Sequence, residues 1–195
     1  MGFTAIFGGT FNPFHIGHYE MLKALQKDDT IDEIWVMPSR IPPHKECDII
    51  ASDNERIDMC KLVCDDFKKA SVCLIEFERE GKSYTFDTIT ELKQKYPEKE
   101  FLFVMGGDML VYFDKWYKSN ELMKMLPFIA FKRVSTNINE FDACVVRLKE
   151  EGMKLTVKED LIPNVSSTQF RNNNLKELLP KKIYDFIKER GIYNV

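Results

Sequence analysis

Near its amino terminus the chain reads FTAIFGGTFNPFHIGH over residues 3–18. The apolar and aromatic residues of Phe3–Phe7 are typical of a buried strand. Gly8 and Gly9 then predict a tight turn, and a segment with helical spacing follows His15. Glycines let a backbone approach a phosphate closely, and the first N–H groups of a helix favour an anion. The stretch therefore predicts a strand, a turn and a helix built around an anion site.

Apolar runs and segments of helical spacing alternate along the rest of the chain. Further strands are predicted at Ile31–Met37, Val72–Phe77, Phe101–Met105 and Phe128–Phe131. Helices are predicted at His18–Gln26, Asn54–Phe67, Phe86–Tyr96 and Trp116–Met125, and a last one at Pro180–Arg190 with Gly191 just past its end. Because strands that alternate with helices pair in parallel, we expect an α/β fold, a Rossmann-like doubly wound parallel sheet. One domain over residues 1–195 is expected, with a helical C-terminal portion from about residue 164.

Ligands of such sheets bind at the carboxyl ends of the strands, so the loops that follow the strands are the informative ones. These loops are GGTFNPFHIGH (8–18), PSRIPPHK (38–45) and GGD (106–108), and SSTQFR (166–171) opens a late helix. The chain has three histidines, and all of them, His15, His18 and His44, fall in these loops. The first loop is neither the GxGxxG nor the GxxxxGK[ST] motif, which disfavours hydride-transfer enzymes and the common nucleotide triphosphatases.

Composition excludes several classes of protein. Lys plus Arg is 28 and Asp plus Glu is 31, a net charge of −3, which disfavours sequence-independent nucleic-acid binding. No apolar run approaches the roughly 20 residues that a membrane span needs, and no secretory leader is evident, so a cytoplasmic protein without membrane contact is expected. Five cysteines without a CxxC pair fit a reducing compartment, and Cys60 and Cys64 are interpreted as small buried hydrophobic residues.

The loops together resemble a known family. HIGH after a GGTF turn is similar to the [HT]xGH motif of the nucleotidyltransferase superfamily. With PSRIPPHK, SYTFDTI (83–89), GGD, the downstream Trp116 and SSTQFR in this order, the chain resembles the bacterial type of nicotinate-nucleotide adenylyltransferase over Ile6–Arg171. The resemblance implies transfer of AMP from ATP to nicotinate mononucleotide, giving nicotinate adenine dinucleotide and pyrophosphate.

The resemblance also implies roles for residues. His18 would contact the α-phosphate, His15 would assist on the triphosphate, Lys45 would reach the β- and γ-phosphates, and Arg171 would join them. The ATP site would comprise Gly8, Gly9, Thr10, Phe11, His15, His18, Gly106, Asp108, Ser167, Thr168 and Arg171. The acceptor site would comprise Ser39, Lys45, Tyr84, Thr85, Asp108, Trp116 and Arg133. No protein-held metal is expected, because Mg²⁺ usually accompanies the substrate phosphates.

Three positions and one segment depart from the family pattern. Asn12 replaces a common Asp, Phe14 a smaller residue, Gly107 a common Ala, and Phe131–Val134 the usual Arg-Pro-Gly turn, of which only Arg133 matches. Two alternatives stay open: a sister adenylyltransferase that uses nicotinamide mononucleotide or pantetheine phosphate, and a non-catalytic nucleotide-binding module. A homo-oligomer also stays open at this stage.

Overall fold

A computed structural model describes residues 2–42, 50–133 and 138–195. Its sheet has six parallel strands in the order β3-β2-β1-β4-β5-β6. The strands are β1 Phe3–Gly9, β2 Ile31–Pro38, β3 Ala70–Val72, β4 Phe101–Gly106, β5 Phe128–Arg133 and β6 Leu155–Ile162. The helices are α1 Ile16–Gln26, α2 Asp53–Cys64, α3 Thr85–Lys95, α4 Gly107–Val111, α5 Ser119–Met125, α6 Ile138–Glu150, α7 Ser167–Asn173 and α8 Lys181–Arg190. The predicted doubly wound parallel α/β sheet is confirmed.

The sheet separates two hydrophobic cores, one on each face. Because side chains alternate along a strand, Ala5 and Phe7 of β1 face one core and Ile6 faces the other. The first core takes residues from α1, α2, α7 and α8, and the second takes residues from α3 to α6. The C-terminal portion is helical as predicted, and Ile183 and Ile187 of α8 are fully buried in the first core.

The strand predicted at Val72–Phe77 is wrong in its bounds. β3 ends at Val72, and Ile75–Phe77 forms a 3-10 turn instead. The apolar run suggested a longer strand, but the strand stops after Val72, and Ile75 and its neighbour Glu76 are both buried in the 3-10 turn. This change of conformation brings the Glu76 carboxyl into the interior.

Three elements were missed by the sequence analysis. β6 reads LTVKEDLI and is too polar to look like a strand, because it lies at the sheet edge. α4 has only five residues. α6 does carry the helical spacing of Phe141, Cys144 and Leu148, so that signal was available and went unused.

The strand order locates the crevice that a ligand would use. β1 lies between β2 and β4, so the chain leaves β1 toward one side of the sheet and returns later to pair on the other side. Neighbouring strands whose connections run in opposite directions leave a crevice at their carboxyl ends. Here that crevice opens beyond Gly9 and Gly106. Within the described ranges, none of the helices has the length and apolar character needed to cross a bilayer.

Candidate active site

A cleft of about 610 Å³ opens at the carboxyl edge of the sheet. The first loop, the loop after β2, the start of α3, the β4–α4 junction and the start of α7 all line it. It brings together every predicted site residue except Lys45 and Arg133, namely Gly8, Gly9, Thr10, Phe11, His15, His18, Ser39, Tyr84, Thr85, Gly106, Asp108, Trp116, Ser167, Thr168 and Arg171. Lys45, like His44, lies outside the described residues. Arg133 ends β5, and its side chain is likewise outside the description.

The two histidines of the first loop cap the helix that follows them. His15 is the N-cap of α1, and its Nδ1 accepts a hydrogen bond from the His18 N–H at 3.3 Å. In return, Nδ1 of His18 accepts from the His15 N–H, also at 3.3 Å. The two rings stack with their centroids 3.5 Å apart. This is a capping box made of two imidazoles, which satisfies two otherwise unpaired N–H groups of the helix start.

Small and aromatic residues hold this pair of rings in place. A Cβ atom on Gly17 would lie 3.1 Å from the His15 ring, so the glycine between the histidines gives that ring its room. The His18 ring meets Phe11 and Phe14 at centroid distances of 5.0 and 5.1 Å. Phe14, one of the departures from the family pattern, is fully buried against this ring. The packing fixes the orientation of His18 before any ligand arrives.

The start of α7 is fastened to the first loop. Nη1 of Arg171 donates to the main-chain carbonyl of Asn12 at 2.6 Å, and its Nη2 donates to Oγ1 of Thr168 at 3.1 Å. The Ser167 hydroxyl donates to the Pro13 carbonyl at 2.8 Å. The α7 residues that are predicted to bind phosphate are therefore held against the loop that precedes α1 and contains His15.

Two residues that sequence reasoning missed also fix this loop. Nη1 of Arg56, a side chain with no solvent exposure, donates to the Thr10 carbonyl at 2.9 Å and to the Ser39 carbonyl at 2.7 Å. Its charge is met by Asp53 at 2.6 Å. Arg56 thus ties the loop after β1 to the loop after β2. Its place inside an ordinary amphipathic helix gave no signal in the sequence.

The second missed residue is near the C-terminus. The Tyr193 hydroxyl, on a 4% exposed residue, donates to Oδ1 of Asn12 at 2.6 Å, and the same oxygen accepts from the Ala51 N–H at 3.4 Å. Burial raises the pKa of Tyr193, and the positive charges of Arg171 and Arg56 only partly oppose this, so the hydroxyl stays a donor. No short-range pattern could have paired residues 12 and 193.

The cleft is also lined by the predicted acceptor residues Tyr84, Thr85 and Trp116, two of which are aromatic. Trp116 lines the cleft and also packs edge-on against Phe103, with centroids 5.7 Å apart. The ring centroids of Tyr84 and Tyr117 lie 4.8 Å apart. Tyr117 is 43% exposed at the cleft and was not among the predicted residues. We refer to Tyr84, Thr85, Trp116 and Tyr117 together as the acceptor end.

Carboxylates at the cleft are few. Glu76 and Asp108 line it, Glu76 buried and Asp108 exposed in the first turn of α4. In the described ranges, no group of three or more His, Cys, Asp or Glu residues comes together in a way that could hold a metal ion. Cys60 and Cys64 are buried in the first core, as interpreted from the sequence, and burial raises the pKa of Cys64 to about 12.

Comparison with known proteins places the chain among nucleotidyltransferases. The cytidylyltransferase-like family model matches residues 6–173. A nicotinate-nucleotide adenylyltransferase of Bacillus subtilis is 35% identical over 189 residues, which cover 96% of each chain. A probable nicotinate-nucleotide adenylyltransferase of Listeria monocytogenes is 34% identical over 193 residues, covering 97% of this chain and 96% of the relative.

The fold has a solved counterpart as well. The nicotinic acid mononucleotide adenylyltransferase of Plasmodium falciparum, complexed with NaAD, superimposes with a TM-score of 0.82 at 21% identity. The match covers 100% of this chain and 98% of that one. At this level of identity the likeness concerns the fold, and it agrees with the strand order described above.

Proposed function

The chain belongs to the cytidylyltransferase-like family and, within it, to the nicotinate-nucleotide adenylyltransferases, and on that premise we propose how its cleft carries out the reaction. AMP is transferred from ATP to nicotinate mononucleotide, giving nicotinate adenine dinucleotide and pyrophosphate. The observation that carries this proposal is the cleft itself, which is lined both by the capped histidine pair and Arg171 and by Tyr84, Thr85 and Trp116.

The chemistry asks the protein for position and positive charge. The nucleophile is a phosphate oxygen that is already ionised, so no general base is needed. This oxygen bonds to the α-phosphorus of ATP while the bond from that phosphorus to the bridging oxygen of pyrophosphate breaks. Catalysis then depends on aligning two anions and on stabilising charge as it moves to the leaving group.

Donors from the first loop and from α7 supply that charge stabilisation. Because Nδ1 of His15 and of His18 each accepts a backbone N–H, the proton of each neutral ring is on Nε2, which is then a donor. His18 donates to the α-phosphate and His15 to the triphosphate. Arg171, Ser167 and Thr168 bind the triphosphate from α7, and Lys45 is assigned the β- and γ-phosphates by the family motif.

Nicotinate mononucleotide binds at the acceptor end. Trp116 offers a ring face to the pyridine, Tyr84 and Thr85 contact the ring from the start of α3, and Asp108 binds a ribose hydroxyl. Ser39 also lines the cleft, and the family motif assigns Arg133 the addition of positive charge for the acceptor. Nicotinate rather than nicotinamide mononucleotide is the acceptor in this proposal, in keeping with the names of the relatives.

Magnesium enters with ATP. Mg²⁺ prefers few protein ligands and keeps several waters when phosphates are available. The exposed Asp108 and the lack of a larger ligand group in the described ranges suit an ion carried on the triphosphate. Mg²⁺ would neutralise the phosphate charge that the protein donors do not reach. We further propose that the enzyme acts in the cytoplasm and has no nucleic-acid partner; the buried free thiols and the net charge of −3 support this.

The test is direct. Purified protein is incubated with ATP, Mg²⁺ and one acceptor: nicotinate mononucleotide, nicotinamide mononucleotide or 4′-phosphopantetheine. Pyrophosphate release is followed and the products are separated by chromatography. A dinucleotide formed from nicotinate mononucleotide alone supports the proposal. Equal use of both mononucleotides removes the acceptor preference, turnover with phosphopantetheine alone favours the sister enzyme, and no turnover with any acceptor favours a binding module.

A further inference from the structure

A buried carboxyl group at the acceptor end takes no part in the roles described so far. Glu76 is 4% exposed, lies in the 3-10 turn that replaces the predicted strand end, and lines the cleft. Its Oε1 accepts a hydrogen bond from the Thr88 hydroxyl at 2.9 Å. Its Oε2 is buried and has no hydrogen-bond donor within bonding distance among the described residues. A buried carboxyl group is costly unless hydrogen bonds and charges compensate for lost water, so this position requires a reason.

The surroundings of Glu76 favour its interior position only in part. Burial raises the pKa of Glu76, while the nearby hydroxyls of Ser83 and Thr88 and the positive charge of Arg79 act in the opposite direction. A buried carboxyl group of this kind in a cleft is a candidate for a functional role. The segments that surround Glu76 indicate which function is concerned.

Glu76 contacts the first turn of α3 through a hydrogen bond with Thr88. Thr88 is fully buried, and its Oγ1 accepts a hydrogen bond from Arg79. Its single proton has two acceptors in reach, Oε1 of Glu76 at 2.9 Å and the Tyr84 carbonyl at 3.1 Å. A carboxylate is the stronger acceptor, so Glu76 sets the direction of the Thr88 hydroxyl. Thr88 follows Tyr84 and Thr85, the predicted acceptor contacts, by one helical turn.

Ser83, a neighbour of Glu76, is hydrogen-bonded to the loop after β2. Oγ of Ser83 accepts from the N–H groups of Arg40 at 3.1 Å and Ile41 at 3.2 Å. The Ser83 N–H donates to the Ile41 carbonyl at 2.8 Å. The Ser83 hydroxyl lies near the Glu76 carboxyl group and acts to lower its pKa, against the larger effect of burial. Through its hydrogen bonds Ser83 joins the start of α3 to the loop that contains Ser39.

We propose that Glu76 is a positioning residue for the acceptor: its buried carboxyl group aligns the Thr88 hydroxyl and so fixes the start of α3, which contributes Tyr84 and Thr85 to the binding of nicotinate mononucleotide. The inference rests on the proposed function, whose acceptor it concerns. It adds a residue that touches neither the phosphates nor the histidine loop. The expected consequence is a selective effect on acceptor affinity.

The experiment compares Glu76→Ala and Glu76→Gln with the wild type in steady-state assays, varying each substrate at saturating levels of the other. Glu78→Gln is the matched control, because Glu78 lies two residues away on the surface and pairs with Lys95. For Glu76→Ala we expect a KM for nicotinate mononucleotide raised about tenfold, with the KM for ATP and kcat within about twofold. Glu76→Gln should lie between, because its amide oxygen still accepts from Thr88 but is a weaker acceptor than a carboxylate.

Several results would overturn the inference. KM and kcat values of both Glu76 variants equal to those of Glu78→Gln would overturn it. Equal increases in KM for both substrates, or a decrease in kcat alone, would also overturn it, because these results indicate a general structural role. Circular dichroism checks folding, and if Glu76→Ala does not fold, the volume-matched Glu76→Gln decides with the same criteria. If the wild type turns over nicotinate mononucleotide and both Glu76 variants match it, this inference is refuted and the proposed function stands. Wild-type protein inactive with the acceptor refutes the proposed function, and this inference with it.

Discussion

The backbone N–H of His15 donates to Nδ1 of His18, and the backbone N–H of His18 donates to Nδ1 of His15, both at 3.3 Å. The reciprocal bonds give the HxGH spacing a physical reason. N3 lies three positions after the N-cap, so each ring reaches the other residue's N–H, and Gly17 leaves room for the His15 ring. The bonds also occupy Nδ1 in both rings. Each neutral imidazole is therefore left with a donor at Nε2.

Replacing the two histidines separates capping from catalysis. His15→Asn retains a side-chain acceptor suited to an N-cap but lacks the imidazole donor, so we expect the melting temperature to stay within about 1 °C and kcat to fall. His15→Ala should show the same loss of turnover together with a melting temperature lower by about 2–4 °C, as expected for a lost cap of about 1 kcal/mol.

His18→Ala should lower kcat by about 100- to 1000-fold, the usual cost of a lost transition-state donor. Full turnover in either His15→Asn or His18→Ala would contradict the assigned roles.

Arg171 is predicted to act on ATP and not on the acceptor. Its guanidinium is fixed by the Asn12 carbonyl and Thr168, so Arg171→Lys keeps the charge and loses the fork that makes both bonds. We expect the KM for ATP to rise about tenfold or more in Arg171→Ala and less in Arg171→Lys, with a smaller change in the KM for nicotinate mononucleotide. Steady-state kinetics with Arg190→Ala, an exposed arginine of α8, provides the control. A larger effect on the acceptor than on ATP would reverse the assignment.

The first loop shows how much the sequence could predict. Helix-start chemistry and two histidines three positions apart are local signals, and they were enough to place α1 and the ligand end of the sheet. The tight turn predicted at Gly8 and Gly9 was wrong, because both residues belong to the end of β1. The apolar central strands were also predicted from local signals, because each carries its own pattern. β6 could not be recognised in this way, since an edge strand has less apolar surface to bury.

The remaining residues depend on contacts between distant parts of the chain. Arg56 reaches Thr10 from 46 residues away, and Tyr193 reaches Asn12 from 181 residues away. Each residue is unremarkable in its own segment, and only the fold brings its donor to a loop carbonyl or amide. Glu76 was concealed differently: the apolar run around it predicted a strand, and the 3-10 turn that buries its carboxyl group appears only in the structure.

Arg56 provides a prediction about stability. Arg56→Met fills much of the same volume but leaves the carbonyls of Thr10 and Ser39 and the carboxylate of Asp53 without their partner. We expect the free energy of unfolding to fall by about 3 kcal/mol, because two main-chain carbonyls each lose a hydrogen bond from a charged donor. The measurement is urea unfolding followed by circular dichroism. Lys61→Met, an exposed position on the same helix, should change stability by less than about 0.5 kcal/mol. Equal stabilities of the two variants would show that the Arg56 contacts contribute nothing.

The ion pair between Asp28 and Lys158 predicts a dependence of stability on pH. Burial raises the pKa of Asp28, but hydrogen bonds from Lys158, 2.6 Å away, and from Thr30 outweigh it and hold the pKa at about 2. A carboxyl whose pKa is lower in the folded state stabilises the fold above its unfolded pKa, near 4, and loses that contribution as the pH falls through 2. Asp28→Asn keeps an oxygen for the Thr30 bonds and loses the charge, so we expect it to be about 2 kcal/mol less stable than the wild type at pH 7. Urea unfolding at pH 7, 4, 3 and 2 should show this difference shrinking between pH 4 and 2, with Asp29→Asn as the exposed neighbour for comparison. A difference that stays constant down to pH 2 would mean that Asp28 acts through its shape and not through its charge.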